Sequence, residues 1–254
     1  MPSWDPSQYL KFADHRLRPA LDLLARVPDT ECATVWDLGC GAGNMTKLLQ
    51  ERWPKARITG LDNSPDMLKQ ARAIAGIEWV EGDVSTWTAP QPADLVFSNA
   101  VLHWIDDHAR LFPRLMQQVV RGGVLAVQMP RNFQAPSHVL LYETAARGPW
   151  AATLVPYLRP SPVAAPEAYY DWLMPHATHL DIWETEYLHV LQGENAVLEW
   201  TKGTAVRPLL DRVDPAQRAD FLATYAEQLR KAYPRRADGM TLFPFRRLFI
   251  VARR

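Results

Sequence analysis

The 254-residue chain is predicted to fold as an α/β protein built on one mostly parallel sheet. Three observations predict this. Between residues 34 and 129, short β-branched or apolar runs alternate with longer amphipathic stretches, the pattern of βαβ units. The first run ends in an acid and enters Gly39, Gly41 and Gly43, as a strand does when it turns into a helix against a ligand. With 48% hydrophobic and 22% charged residues, the chain has enough apolar material for a sizeable core and lacks the composition of a disordered one.

Five strands are expected first, at 34–38, 57–61, 77–80, 94–98 and 124–129. Between the first two, Met45, Leu48 and Leu49 are spaced as on a helix, with Asn44 as its cap and Trp53-Pro54 as its stop. Ser64-Pro65-Asp66 reads as N-cap, first-turn proline and acidic first turn of another helix. Gly122-Gly123 is expected to turn the chain into the fifth strand. Beyond Pro130 the character changes. Pro149, Pro156, Pro160, Pro162 and Pro166 predict an irregular excursion over one face of the sheet. Residues 181–190 alternate like a half-buried strand, 248–252 read as a fully buried one, and 194–202 and 214–232 have helical spacing. The expected organisation is one domain, 1–254. Within it lie an amino-terminal cap segment 1–28, a core 29–130, cap insertions 131–177 and 192–245, and two last strands at 178–191 and 246–254.

Composition narrows the function. Lys plus Arg and Asp plus Glu each total 28, so no global field attracts a polyanion, and nucleic acid is not expected as a partner. Cys32 and Cys40 form no framework and no Cys/His cluster has zinc spacing, so no metal is expected. The first residues carry Asp5 and two prolines where an export signal needs a basic and then an apolar run, and no stretch approaches the roughly 20 apolar residues of a membrane span. A cytoplasmic protein without membrane partners is expected.

The chemistry concentrates at strand ends. Two ligand classes compete for the turn from Asp37 to Asn44, the dinucleotides and S-adenosylmethionine. A dinucleotide turn wants Gly-x-Gly-x-x-Gly, and counted from Gly39 its third glycine would fall at Asn44. Asp62 ends the second run, where an acid accepts ribose hydroxyls in either class, and Asp83 follows the third. The fourth run finishes in Asn99 and Ala100 and leads to His103, a candidate general base, and Trp104, a candidate cation–π face.

Gly39-x-Gly41-x-Gly43, with Asp37 two residues upstream, resembles motif I of the class I S-adenosylmethionine-dependent methyltransferases. Across nearly its whole length the chain is similar to the bacterial trans-aconitate methyltransferases within that class, a match that includes Trp4-x-Pro6-x-x-Tyr9, Arg18-Pro19-Ala20, the stretch 125–130, Asn132, His138-Val139-Leu140, Tyr169-Tyr170-Asp171, Arg207-Pro208 and the stretch 247–254. The resemblance implies a Rossmann-like fold: seven strands, the last antiparallel, helices on both faces and a mostly helical cap. It implies that Asp37, Gly39, Cys40, Gly41 and Gly43 surround the cofactor's amino acid end, that Asp62 takes its ribose and that Asn63 also binds the cofactor. Asp83 and Val84 would hold the adenine, and Asn99 and Ala100 would lie beside the methionine part. The 4–12 segment is expected over the cofactor.

The implied reaction is methyl transfer from S-adenosylmethionine to a carboxylate of trans-aconitate or a similar small polycarboxylic acid, giving a monomethyl ester and S-adenosylhomocysteine. A carboxylate is already ionised at neutral pH, so no base is required. The other carboxylates of the substrate call for planar, permanently charged donors. Arg207, Arg18 and Arg247 are the candidates, with Arg246 and Arg131 behind them, and Tyr170, His138, Asn132 and Trp104 complete the set. Two rival readings stand beside it: O- or N-methylation of another small metabolite with His103 as base, and a cofactor-binding module without catalysis.

Overall fold

The structure is a computed structural model that describes residues 13–159 and 161–254. Along the chain it runs α1 (Ala13–Arg26), β1 (Thr34–Leu38), α2 (Asn44–Arg52), β2 (Arg57–Asp62), α3 (Pro65–Ala71), β3 (Glu78–Glu81), β4 (Ala93–Asn99), α4 (His108–Gln117) and β5 (Val119–Pro130). It continues through α5 (Pro136–Arg147), α6 (Ala151–Leu154), α7 (Pro166–Leu173), β6 (His179–Gln192), α8 (Ala196–Lys202), α9 (Arg207–Leu210), α10 (Arg218–Ala232) and β7 (Met240–Arg253). The seven strands form one sheet in the order β3-β2-β1-β4-β5-β7-β6. The first five pair in parallel, and β7 joins β5 antiparallel.

The strands form where the apolar runs lie because parallel strands are buried on both faces. Leu95, Val96 and Phe97 of β4 and Leu125, Ala126 and Val127 of β5 are fully buried. Three local expectations are corrected. Asn44 is the first helical residue of α2 and not its cap; Gly43 occupies the cap position and offers no side-chain acceptor. Gly122-Gly123 does not precede β5 but lies inside it, where the register with β4 shifts between Ala93 and Leu95. A Cβ at Gly123 would stand 2.7 Å from the Asp94 carbonyl oxygen, so the bulge requires glycine there. The proline-rich middle is less irregular than expected, because Pro156 and Pro166 sit in the first turns of a short 3-10 helix (Val155–Tyr157) and of α7, where a missing N–H costs nothing.

The chain divides into two compact units, each described on its own. The sheet unit comprises Arg16–Pro130, Val163–Thr185 and Arg247–Arg254. Residues 163–177, expected in the cap, group with this unit. There Tyr169 donates its hydroxyl hydrogen to His108 Nδ1 at 2.6 Å, while His108 Nε2–H donates to the Leu102 carbonyl at 2.9 Å. The second unit comprises, among the described residues, 13–15, Arg131–Pro162 and Glu186–Arg246. Its core is aromatic: Trp200, Phe243, Phe245, Phe221 and Tyr225 are buried together, with Trp150 edge-on to Phe221 at 5.1 Å.

Candidate functional site

The glycine turn is tied to the neighbouring strand before any ligand is considered. The Gly39 and Cys40 N–H groups both donate to the Leu61 carbonyl, at 2.7 and 3.0 Å. Gly39 has φ +76°, and a Cβ there would meet Val101 at 2.2 Å, so no other residue fits. At Gly41 a Cβ would meet nothing within 4 Å; the turn is open on that side, where a ligand can lie against bare backbone.

Of the three expected acids, Asp62 bonds the turn itself and Asp37 the helix that follows it. Asp37 is buried, accepts the Thr46 hydroxyl at 2.6 Å, and burial pushes its carboxyl up to about 7. Asp62 accepts the Gly41 N–H at 2.8 Å and the Ser64 N–H at 2.9 Å, and burial raises its pKa too. It thereby joins the turn to the start of α3, and Asn63 follows it in the chain. Asp83 is exposed and accepts the Ser85 N–H at 2.8 Å, while Val84 beside it is buried. Cys40 is buried, and burial raises its thiol pKa.

Ala100 is one of two non-glycine residues with positive φ among the described residues, at 58°, and its N–H donates to the Gln128 carbonyl at 2.9 Å. Such a conformation costs energy and persists where its surroundings enforce it. Asn99 beside it keeps a buried Oδ1 with no hydrogen-bond partner. Beyond, His103 is buried with its ring 4.7 Å from that of Trp104, which is partly exposed.

Register places these groups on one side of the sheet. Asp37 pairs with Gly60 and Phe97, Asn99 with Gln128, and Pro130 with Arg247. Since paired residues and every second residue share a face, Asp62, Asp37, Asn99, Gln128 and Arg247 line the same face at the carboxyl ends of β2, β1, β4 and β5 and beside them on β7. Open α/β sheets bind ligands at those ends. The face is acidic at β2 and β1, carries amides at β4 and β5, and is basic at β7. Arg247 is 5% exposed, and its Nη1 donates to Gln128 Oε1 at 3.5 Å. The sequence reasoning missed Gln128. Its signal was a lone polar residue within the apolar run 124–129, where a buried strand has no structural use for an amide.

The other candidates are scattered. Arg18 is on exposed α1 surface, 4.0 Å from Asp22, and Tyr170 is exposed on α7. Arg207, His138 and Asn132 belong to the second unit. Arg207 lies 3.4 Å from Asp211, and Asn132 accepts the Arg246 N–H. His138 is buried with Nδ1 3.2 Å from the Ser137 hydroxyl, and burial lowers its pKa to about 4, so it is neutral at pH 7. A hollow of about 580 Å³ in this unit is lined by Asn132, Arg131, Arg236 and Arg246 and includes none of the glycine-turn residues. The 4–12 segment lies outside the described residues.

A family model described as a methyltransferase domain matches residues 35–123. A protein of Azoarcus sp. named trans-aconitate 2-methyltransferase is 51% identical over 253 residues, 99% of each chain. One of the same name from Streptomyces avermitilis is 50% identical over 262 residues, 99% of this chain and 97% of its own. Among solved structures, the YcgJ protein from Bacillus subtilis has TM-score 0.60 at 14% identity, covering 93% of this chain and 99% of its own. Phosphoethanolamine N-methyltransferase 2 of Haemonchus contortus, in complex with S-adenosyl-L-methionine, has TM-score 0.54 at 16% identity, covering 93% of this chain and 52% of its own. At those identities the likeness is one of fold.

Proposed function

The chain belongs to the trans-aconitate 2-methyltransferase family, and from that premise we propose that it esterifies one carboxylate of trans-aconitate or a closely similar small polycarboxylic acid. It is an S-adenosylmethionine-dependent methyltransferase. The observation that carries the proposal is the polarity of the sheet face, acidic at β1 and β2 and basic at β7, which suits a cationic cofactor beside an anionic substrate.

The residues present fit the cofactor. The open side of Gly41, the unpartnered Asn99 Oδ1 and the acids Asp37 and Asp62 offer bare backbone and acceptors to a cation bearing hydroxyl and ammonium donors. In this reading Asp37, Gly39, Cys40, Gly41 and Gly43 hold the amino acid end. Asp62 holds the ribose and Asn63 also binds the cofactor, Asp83 and Val84 hold the adenine, and Asn99 and Ala100 the methionine part. S-adenosylmethionine supplies a methyl group activated by a sulfonium, whose transfer to a carboxylate oxygen leaves a neutral ester and a neutral thioether with no proton to move.

The chain's own task is therefore positioning and charge balance. Arg247 offers a planar fork to a carboxylate that does not react. His103 has no proton to take, and its ring packs on Trp104. Incubating the protein with labelled cofactor and trans-aconitate should give a labelled ester. No ester from this acid, with methylation of other metabolites, would favour the rival O- or N-methyltransferase. His103→Ala separates the two further: ester formation should survive with modest loss, whereas a base-dependent reaction should fall by about 10²-fold or more.

A further inference from the structure

Resting on that reading, we propose that Gln128 is a specificity-determining residue that donates, through its carboxamide NH₂, to the substrate carboxylate gripped by Arg247. Gln128 is 0% exposed, the one polar side chain in the buried stretch 123–129 of β5. Its Oε1 faces Arg247, and because a guanidinium only donates, this fixes which way the amide points. The amide nitrogen therefore faces away from Arg247, and Nε2 is buried with no hydrogen-bond partner. An apolar residue would fill the strand without leaving a donor unsatisfied, so the amide is a cost to the unliganded fold that an acceptor removes.

The neighbours decide which ligand supplies the acceptor. Asn99, the register partner of Gln128 on β4, presents an unpartnered acceptor, which repels a carboxylate and suits the ammonium of the cofactor. On the other side, Arg247 and Gln128 both present flat N–H donors. A carboxylate is thus accepted toward β5 and β7 and turned away at β4. Both groups donate from the same corner of the face, so they recognise one carboxylate beside the one that is methylated. Acids bearing that second carboxylate should be preferred to monocarboxylic acids.

The test compares wild type with Gln128→Leu and Gln128→Glu. Gln128→Leu should raise KM for trans-aconitate about tenfold to a hundredfold, more than it lowers kcat, because it removes one buried donor to a charged acceptor. Gln128→Glu should do more harm, since its carboxylate pairs with Arg247 and repels the acid. Calorimetric affinity for trans-aconitate should fall by matching factors, while affinity for S-adenosylmethionine stays that of wild type. The preference for trans-aconitate over crotonate, which lacks the second carboxylate, should shrink in both variants. Wild type that forms the ester, with both variants binding the acid unchanged, would overturn the role of Gln128 alone. Equal loss of acid and cofactor affinity would show a structural role and overturn it likewise. Wild type that binds the cofactor but forms no ester from trans-aconitate would overturn the parent reading and this one with it.

Discussion

The two compact units bury polar groups for different ends. In the second unit the Tyr225 hydroxyl donates to the Ser137 carbonyl at 2.6 Å and the Tyr233 hydroxyl accepts the Ser137 N–H at 3.0 Å. The His189 ring there stacks on Trp200 at 4.4 Å. The two tyrosine bonds close internally and serve the core, whereas Asn132 Nδ2, on the wall of this unit's hollow, is buried without a hydrogen-bond partner. In the sheet unit, Asn99 Oδ1 and Gln128 Nε2 are left without partners at the ends of adjacent strands. A fold tolerates such orphans where a ligand completes them. The difference teaches that buried polarity marks a site only when its hydrogen bonding is unfinished. Substitutions in the sheet-unit face should therefore strike binding first, and those in the aromatic core of the second unit should strike stability first.

The most severe way to break that contrast is Gly39→Ala. The added methyl meets Val101 in a left-handed backbone that resists any side chain, and the turn must move. Cofactor affinity should fall by about a hundredfold or more, since the backbone no longer approaches the ligand. Calorimetry finding the affinity of wild type would remove the turn from the site. Its counterpart is Trp200→Ala, which empties a site 1% exposed among His189, Phe243 and Phe245. It should cost about 3–5 kcal/mol in denaturant unfolding. A loss no greater than that of a surface change would mean the second unit is not held by its aromatic cluster.

The same contrast explains what could be read from the residues alone. The sheet unit announces itself locally: Gly41 and Asp62 are 21 positions apart, Asp37 and Thr46 only nine, and each pair includes an acid at the end of a strand. Strand β1 was legible to the residue, at Thr34–Leu38. The second unit hides its logic in partners such as Tyr225 and Ser137, 88 positions apart, which no spacing rule connects. Gln128 was hidden differently. Its strand neighbours made the run apolar, and only the register that brings Asn99 and Arg247 alongside gives the amide a meaning. The exposed Arg18 shows the converse, that a suitable residue type in a matching stretch says nothing about where its charge ends up.

Titration sharpens the comparison at smaller amplitude. Burial holds His138 of the second unit at about 4 against an ordinary 6.5. The unfolded chain thus binds a proton that the folded chain refuses between those values, and stability rises with pH across that window. The contribution is complete above about 6.5 and is lost as pH falls toward 4, a swing of roughly 3 kcal/mol. His138→Gln, which cannot take the proton, should flatten the pH dependence of the unfolding free energy by that amount relative to wild type. Parallel curves for the two proteins would show that His138 is protonated without penalty.

Asp37 should respond in the opposite sense, and through binding. Burial raises its carboxyl from 3.8 to about 7, opposed by the Thr46 hydroxyl and aided by nearby Asp62. The unliganded fold favours its neutral form, so its contribution to stability declines as pH rises from about 4 to 7. A cationic cofactor reverses that preference, because the ionised carboxyl gains an opposite charge in a buried setting. Binding near pH 7 must then expel a fraction of a proton, and affinity should climb with pH, by at most about tenfold per unit, until Asp37 is ionised without help. Calorimetry at pH 7 in two buffers of different ionisation enthalpy reads that proton directly. Asp37→Asn should abolish the release and weaken binding together; a variant that binds as tightly, with the same proton count, would place the cofactor's charge away from β1.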